Sequence, residues 1–276
     1  MPTMNIKGRE LHYLDEGEGF PVLWGHSFLW NSQMWAPQIE VFSSRFRCIV
    51  PDLWSHGQSG HLNATEYTLK QLADDYWQLM QNLGLNEVIV IGLSVGGMWG
   101  TQLTLDHPEA VRALVLMDTY VGAEPEETQK KYLGMLSMME SNHGVPEDLA
   151  NIIAPIFLSP KTVKNRPVMV EQLKDDLMRI PAVAIPGVAT LGKMIFTRPD
   201  LLPQLSKIQQ PTLIVVGEDD IPRPPKEAKI MAESMPDSRL RIIPDAGHIA
   251  NLEQMEVVTQ VLDNFLDTVL SVALKI

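Results

Sequence analysis

Val88-Ile-Val-Ile-Gly92-Leu-Ser94-Val-Gly96-Gly-Met-Trp-Gly100 decides how this chain folds. Its first four residues are β-branched and apolar, the composition of a strand buried on both faces of a parallel sheet. The pattern breaks at Gly92-Leu93-Ser94-Val95-Gly96, a G-x-S-x-G sequence, and Gly97 to Leu105 is small or helix-compatible. The stretch therefore reads strand, abrupt turn, helix. Such a turn lifts its serine clear of the backbone, where a base can reach the hydroxyl proton. It also brings strand and helix so close that Gly92 and Gly96 stand where a larger side chain would collide. The N–H of Val95, at the start of the helix, is left free for an oxygen that becomes negative during acyl transfer. No G-x-G-x-x-G and no Gly-Lys-Ser/Thr accompanies the turn, so nucleotide binding is disfavoured. Val88 to Leu105 carries no charge, but its glycines, Ser94, Thr101, Gln102 and Thr104 argue against a membrane span.

Working outward, strands and helices alternate. Residues 5–7 and 9–14 predict an antiparallel hairpin around Gly8, at the edge of the sheet. Residues 21–24 and 47–50 read as short buried strands, the first running into Gly25-His26-Ser27-Phe28 and the second into Pro51 to Ser59. Thr68 to Gln71 matches a capping box, and apolar residues from Leu69 to Leu83 recur at helical spacing. Further strands are expected at 113–117, 211–217 and 240–243, and a closing helix carries Val257, Val258, Val261, Leu262, Phe265, Leu266, Val269 and Leu270 on one stripe. The fold class is thus α/β, a mostly parallel, twisted sheet with helices on both faces. Between about 122 and 205, prolines at 125, 146, 155, 160, 167, 181, 186, 199 and 203 limit helices to short ones, and no adequate strand run occurs. We expect residues 122–205 to be an all-helical lid inserted after the strand ending at Asp118, with 1–121 and 206–276 forming the core.

A chain of 276 residues with 45% hydrophobic content supports one sizeable core. Its net charge of -12 disfavours nucleic acid and anionic membrane surfaces as partners. Cys48 is the lone cysteine, so no intramolecular disulfide forms, and residues 1–20 lack the apolar run of a secretion signal, which makes the cytoplasm the expected compartment. His56 and His61 have no carboxylate or cysteine pattern around them, and no metal site is expected.

His26, Ser94, Asp220 and His248 each fall just after a different strand, and in an open α/β sheet such strand ends lie on one side of the molecule. A serine needs a histidine to take its proton, and the histidine needs a carboxylate to fix its tautomer. The chain resembles the α/β-hydrolase fold superfamily with a helical lid, close to its esterase and enol-lactonase branch. The resemblance spans nearly the whole length. His26-Ser27-Phe28 is similar to the H-G-x oxyanion loop, residues 52–59 to D-x-x-G-H-G-x-S, residues 92–97 to G-x-S-x-G-G, Gly217 to Asp220 with Pro224 to G-x-x-D-x-x-x-P, and Gly247-His248 with Glu253 to G-H-x-x-x-x-E.

The resemblance implies Ser94 as nucleophile, His248 as general base and Asp220 as orienting acid, with the backbone N–H groups of Phe28 and Val95 as the oxyanion hole. Asp220 is preferred over Asp219 for its offset to Pro224, and over Asp118, a position some members use. Two departures stand out: Ser27 and Ser55 occupy positions where the family carries glycine, and a side chain at 27 is expected to restrict how the Phe28 N–H is aimed. His26 and His56 are expected to be structural, and Glu253 to anchor backbone. Trp30, Trp99, Ile221, Ile249, Met138 and Phe157 are the expected pocket, and apolar lid residues either close over substrate or form the face of a homodimer.

Residues and resemblance together lead us to expect a serine hydrolase, of the carboxylesterase type, cleaving a small or medium ester without a cofactor. Similar proteins also hydrolyse enol-lactones or carbon-carbon bonds, or act as perhydrolases. Outside enzymology, the fold could serve as a small-molecule sensor. Ser94 excludes dehalogenase and epoxide-hydrolase chemistry, which needs a carboxylate nucleophile.

Overall fold

A computed structural model describes residues 2–273. The strands are β1 (Thr3–Ile6), β2 (Arg9–Glu16), β3 (Phe20–Gly25), β4 (Phe46–Pro51), β5 (Val88–Leu93), β6 (Val111–Met117), β7 (Thr212–Gly217) and β8 (Ser238–Ile243). They form one eight-stranded sheet in the order β1-β2-β4-β3-β5-β6-β7-β8. β1 and β2 are antiparallel to each other, β2 is antiparallel to β4, and every other pairing is parallel. Lys7 and Gly8, both at positive φ, close the β1–β2 hairpin, as a two-residue turn between twisted strands requires.

Helices are α1 (Ala36–Phe42), α2 (Leu69–Asn82), α3 (Val95–Asp106), α4 (Glu126–Asn142), α5 (Glu147–Ile156), α6 (Pro160–Asn165), α7 (Pro167–Met178), α8 (Ile185–Phe196), α9 (Pro225–Ser234), α10 (Ala250–Glu253) and α11 (Met255–Ala273). The capping box at Thr68 and Gln71 opens α2. Prolines open α6, α7 and α9, where a missing N–H costs no helical bond. Among the described residues, no helix is long and apolar enough to cross a membrane. Along α11 the apolar stripe starts one residue later than the periodicity predicts: Val258 is fully buried, whereas Val257 faces solvent.

The sheet's centre explains why the site lies where it does. Every residue of β5 and β7 is buried, because helices cover both faces, and the run Val88 to Ile91 can be apolar on both sides. β8, at the end of the sheet, exposes Arg239, Arg241 and Ile242. Parallel strands β3, β5, β6, β7 and β8 all end at the same edge, so the segments that follow them meet there. The helices α4 to α8 lie between β6 and β7 in the chain, and residues of α4, α5 and α8 line a cavity together with Ser94 and His248, which follow β5 and β8.

Candidate active site

Ser94 joins β5 to α3 with φ 56° and ψ -118°, a conformation that costs an L-residue of order 1–3 kcal/mol and persists only when its surroundings enforce it. The surroundings do so from three directions. The Ser94 N–H donates to the Met117 carbonyl at 2.9 Å, and the Ser94 carbonyl accepts from the Thr119 hydroxyl at 2.6 Å and from the Gly97 N–H at 2.9 Å. A Cβ on Gly92 would stand 2.2 Å from the Gly96 carbonyl carbon, and one on Gly96 would stand 2.3 Å from the Gly25 oxygen. Both collisions are with backbone, so the two glycines are steric requirements of the turn.

His248 follows β8, and its Nδ1 lies 2.9 and 3.1 Å from the two carboxylate oxygens of Asp220, which follows β7. Both groups are buried. Asp220 also accepts the Arg223 N–H at 2.8 Å, which fixes its carboxylate in the turn. Asp118, at the end of β6, is fully buried beside them but points elsewhere: its Oδ1 accepts the Gly217 N–H at 2.7 Å. Burial, reinforced by the Asp220 charge, pushes the Asp118 carboxyl well above the usual carboxylate range. Glu253 bridges two segments, accepting the Gly247 N–H at 2.6 Å and the Ser159 N–H at 2.8 Å. The His248 N–H donates to the Phe157 carbonyl at 2.9 Å, so the insertion holds the histidine loop by its main chain.

Ser94 and His248 open onto one cavity of about 660 Å³, counted out to solvent at its mouth. Tyr132, Met135, Leu136 and Met139 of α4, Phe157 after α5, and Phe196 of α8 make its walls predominantly apolar. Of the expected pocket residues, Phe157 lines this cavity, and Phe28 does so as well. Five others do not. Trp99 is buried in the core against Tyr76, with ring centroids 4.4 Å apart, because α3 is covered on nearly every side. Ile249 is likewise in the core, Ile221 is 58% exposed, and Met138 lies on the solvent side of α4. Trp30 lines a neighbouring cleft with His56, His61 and Arg179. Among the described residues no group of three or more His, Cys, Asp or Glu could hold a metal ion.

The Phe28 and Val95 N–H groups have no protein acceptor among the described residues; Val95 follows Ser94 in the chain, and Phe28 lines the same cavity as Ser94. Ser27 adopts no left-handed conformation; the positive φ in this loop, 69°, falls at Leu29, the residue after Phe28. Ser55 does take a left-handed φ of 60°, which is why glycine suits that position. Its hydroxyl accepts the Leu62 N–H at 2.9 Å and meets α8 at Gly187, where an added Cβ would lie 2.0 Å from Ser55 Oγ. Gly187→Ala should therefore destabilise the protein, and Ser55→Gly should relieve the clash. A double-mutant cycle by urea unfolding is expected to show coupling of about 1–2 kcal/mol; strictly additive effects would mean that the two positions do not touch.

A family model described as the alpha/beta hydrolase fold matches residues 21–254. This chain belongs to the α/β-hydrolase fold family. A solved thermophilic esterase from Thermogutta terrifontis is 31% identical, with a TM-score of 0.89 and coverage of 98% of this chain and 99% of that one. The enol-lactonase from Burkholderia xenovorans superimposes with a TM-score of 0.86 at 26% identity, covering 96% of this chain and 100% of its own. Among curated proteins, 3-oxoadipate enol-lactonase 2 from Acinetobacter baylyi is 26% identical over 91% of both chains.

In this α/β-hydrolase the insertion is tied to the core by a buried charge cluster that no sequence pattern marked. Glu124 lies on the segment leaving β6, Arg198 on the segment returning from α8, and Arg223 on the loop after β7. Glu124 Oε2 accepts from Arg198 at 2.9 Å and from Arg223 at 2.6 Å, and the three side chains are nearly inaccessible. Burial, with the Arg223 charge, pulls Arg198 down to about 10, so it stays cationic at neutral pH. Burial lifts nearby Glu227 up to about 7.

The same hydrolase carries a histidine pair whose burial makes stability depend on pH. Burial first, and the His26 charge second, push His56 down from 6.5 to about 4; burial also lowers His26, while the Asp52 charge opposes the shift in both. Above pH 6.5 both states of the protein hold these rings neutral. As pH falls from 6.5 towards 4 the unfolded chain takes up protons that the folded chain refuses, so stability is lost in that window, about 3 kcal/mol from His56 alone. Urea midpoints measured across the window should fall less steeply for His56→Leu than for the wild type.

Proposed function

We propose that this chain is a serine hydrolase that cleaves a small or medium carboxylic ester through Ser94, His248 and Asp220. The supporting observation is that a serine in a strained turn and a carboxylate-bonded histidine open onto one apolar cavity. Ser94 Oγ attacks the acyl carbonyl while His248 Nε2 takes its proton. Asp220 holds Nδ1–H and stabilises the imidazolium. The carbonyl electrons move onto oxygen, and the N–H groups of Phe28 and Val95 receive that oxyanion. Collapse expels the alcohol, which takes the proton from His248. Water, deprotonated by His248, then attacks the acyl-enzyme and releases the acid with Ser94 regenerated.

The apolar walls favour an uncharged acyl or aryl group. Enol-lactones are the second candidate class, since two similar proteins bear that activity in their names and a lactone is an ester whose leaving group stays attached. The test is kcat/KM on p-nitrophenyl esters from acetate to laurate beside a set of lactones. The highest value is expected for short and medium acyl chains. Turnover no faster than buffer for every ester and lactone would reject the proposal and favour a binding protein that keeps the fold.

A further inference from the structure

The loop between β3 and α1 carries three consecutive N–H groups, at Ser27, Phe28 and Leu29, and among the described residues only the outer two find acceptors. The Ser27 N–H donates to Met34 Sδ at 3.2 Å, and the Leu29 N–H donates to His56 Nε2 at 3.2 Å. His56 can accept there because its Nδ1–H is spent on the Trp54 carbonyl at 2.9 Å, which fixes the tautomer with a lone pair on Nε2. The relation is reciprocal across the two loops. His26 donates from Nδ1 to the Ser27 carbonyl at 2.8 Å and accepts the Leu53 N–H on Nε2 at 2.8 Å.

The His56 loop is itself rigid. Asp52 accepts the Ser32 N–H at 2.7 Å, the Gln58 N–H at 2.9 Å and His12 Nδ1 at 2.7 Å. The His56 ring also rests against Phe28, with centroids 5.4 Å apart. Leu29 holds a φ of 69°, which a leucine keeps only under restraint, and its bond to His56 is that restraint.

The geometry points to His56 as a positioning residue for the oxyanion hole: by holding the Leu29 N–H, it keeps the preceding Phe28 N–H aimed at the developing oxyanion. This inference rests on the proposed Ser94 mechanism and names a residue that touches neither substrate nor triad. A donor held in place acts mainly on the charge-separated transition state, so loosening it lowers kcat and spares KM.

Three measurements test it. First, His56→Leu should lower kcat on the best ester about 10- to 100-fold with KM within about threefold, because removing an oxyanion donor outright costs about 10²–10³. Second, a trifluoromethyl ketone, which forms a tetrahedral adduct, should lose affinity by the same factor as kcat. Third, His56→Gln, whose Oε1 can still accept, should recover most of the loss. A His56→Leu protein with wild-type kcat and inhibitor affinity would overturn the inference and leave the Ser94 mechanism standing, whereas a wild type without Ser94-dependent turnover would remove both. If the variants do not fold, nitrogen NMR of the wild type decides. Proton on Nδ1 and none on Nε2 of His56 at neutral pH supports it, and the opposite tautomer refutes it.

Discussion

Ser94→Ala is expected to lower kcat for ester hydrolysis by on the order of 10⁶-fold while leaving the fold intact. The magnitude follows from the site's division of labour. In the proposed mechanism, losing the hydroxyl leaves no acyl-enzyme, and what remains is water attacking a carbonyl polarised by the Phe28 and Val95 N–H groups. Those donors and the cavity alone give a small residual rate over the uncatalysed reaction. The fold should survive because the turn is held by main-chain bonds to Met117, Thr119 and Gly97, none of which uses Ser94 Oγ. Kinetics should be read beside a urea midpoint and beside mass spectrometry after a fluorophosphonate. The wild type is expected to gain one adduct, on Ser94, and the alanine variant none. A folded variant that keeps a tenth of the activity would take Ser94 out of the chemistry.

Asp220→Asn is expected to lower kcat about 10⁴-fold, since asparagine presents an N–H or an uncharged oxygen to His248 Nδ1 and neither stabilises the imidazolium. Asp118→Asn makes the matching control. Asp118 binds the Gly217 N–H rather than His248, and the Oδ1 of an isosteric amide can accept that same bond, so the substitution leaves the Asp220–His248 contact in place. We expect that variant to retain activity within about tenfold. The reverse order of effects, with Asp118→Asn the worse of the two, would move the orienting acid from β7 to β6.

The turn and its neighbours were legible because their signal is local. Gly92, Ser94 and Gly96 sit within five residues, and the collisions that demand glycine involve atoms of the same turn and of Gly25. The order of the strands' polar ends was legible for a related reason: parallel strands leave all such ends on one edge whatever the insertion does. The cavity was not. Trp99 follows Ser94 closely in sequence, yet α3 is covered on nearly every side, its only less buried positions among the described residues being Gln102, Leu105 and Asp106, and the indole packs on Tyr76. In α4, Leu133, Met135, Leu136, Met138 and Met139 put apolar groups on several sides, so periodicity could not say that 135, 136 and 139 turn inward and 138 outward. Tyr132, Phe196 and Arg223 meet only through tertiary packing. In the loop of Ser27 the left-handed residue is Leu29, a non-glycine position that no sequence pattern marked.

Glu124 gives the molecule a mechanical character. Its single oxygen joins the outgoing and returning ends of the insertion to the loop that carries Asp220, and the Leu201 N–H to Val121 carbonyl bond at 3.0 Å fastens the same two ends. Swinging the insertion away as one rigid flap would strand a desolvated guanidinium or carboxylate, a penalty of about 3–5 kcal/mol. The root of the insertion is accordingly bolted, gathered at one point like the neck of a drawstring purse rather than hung like a trapdoor.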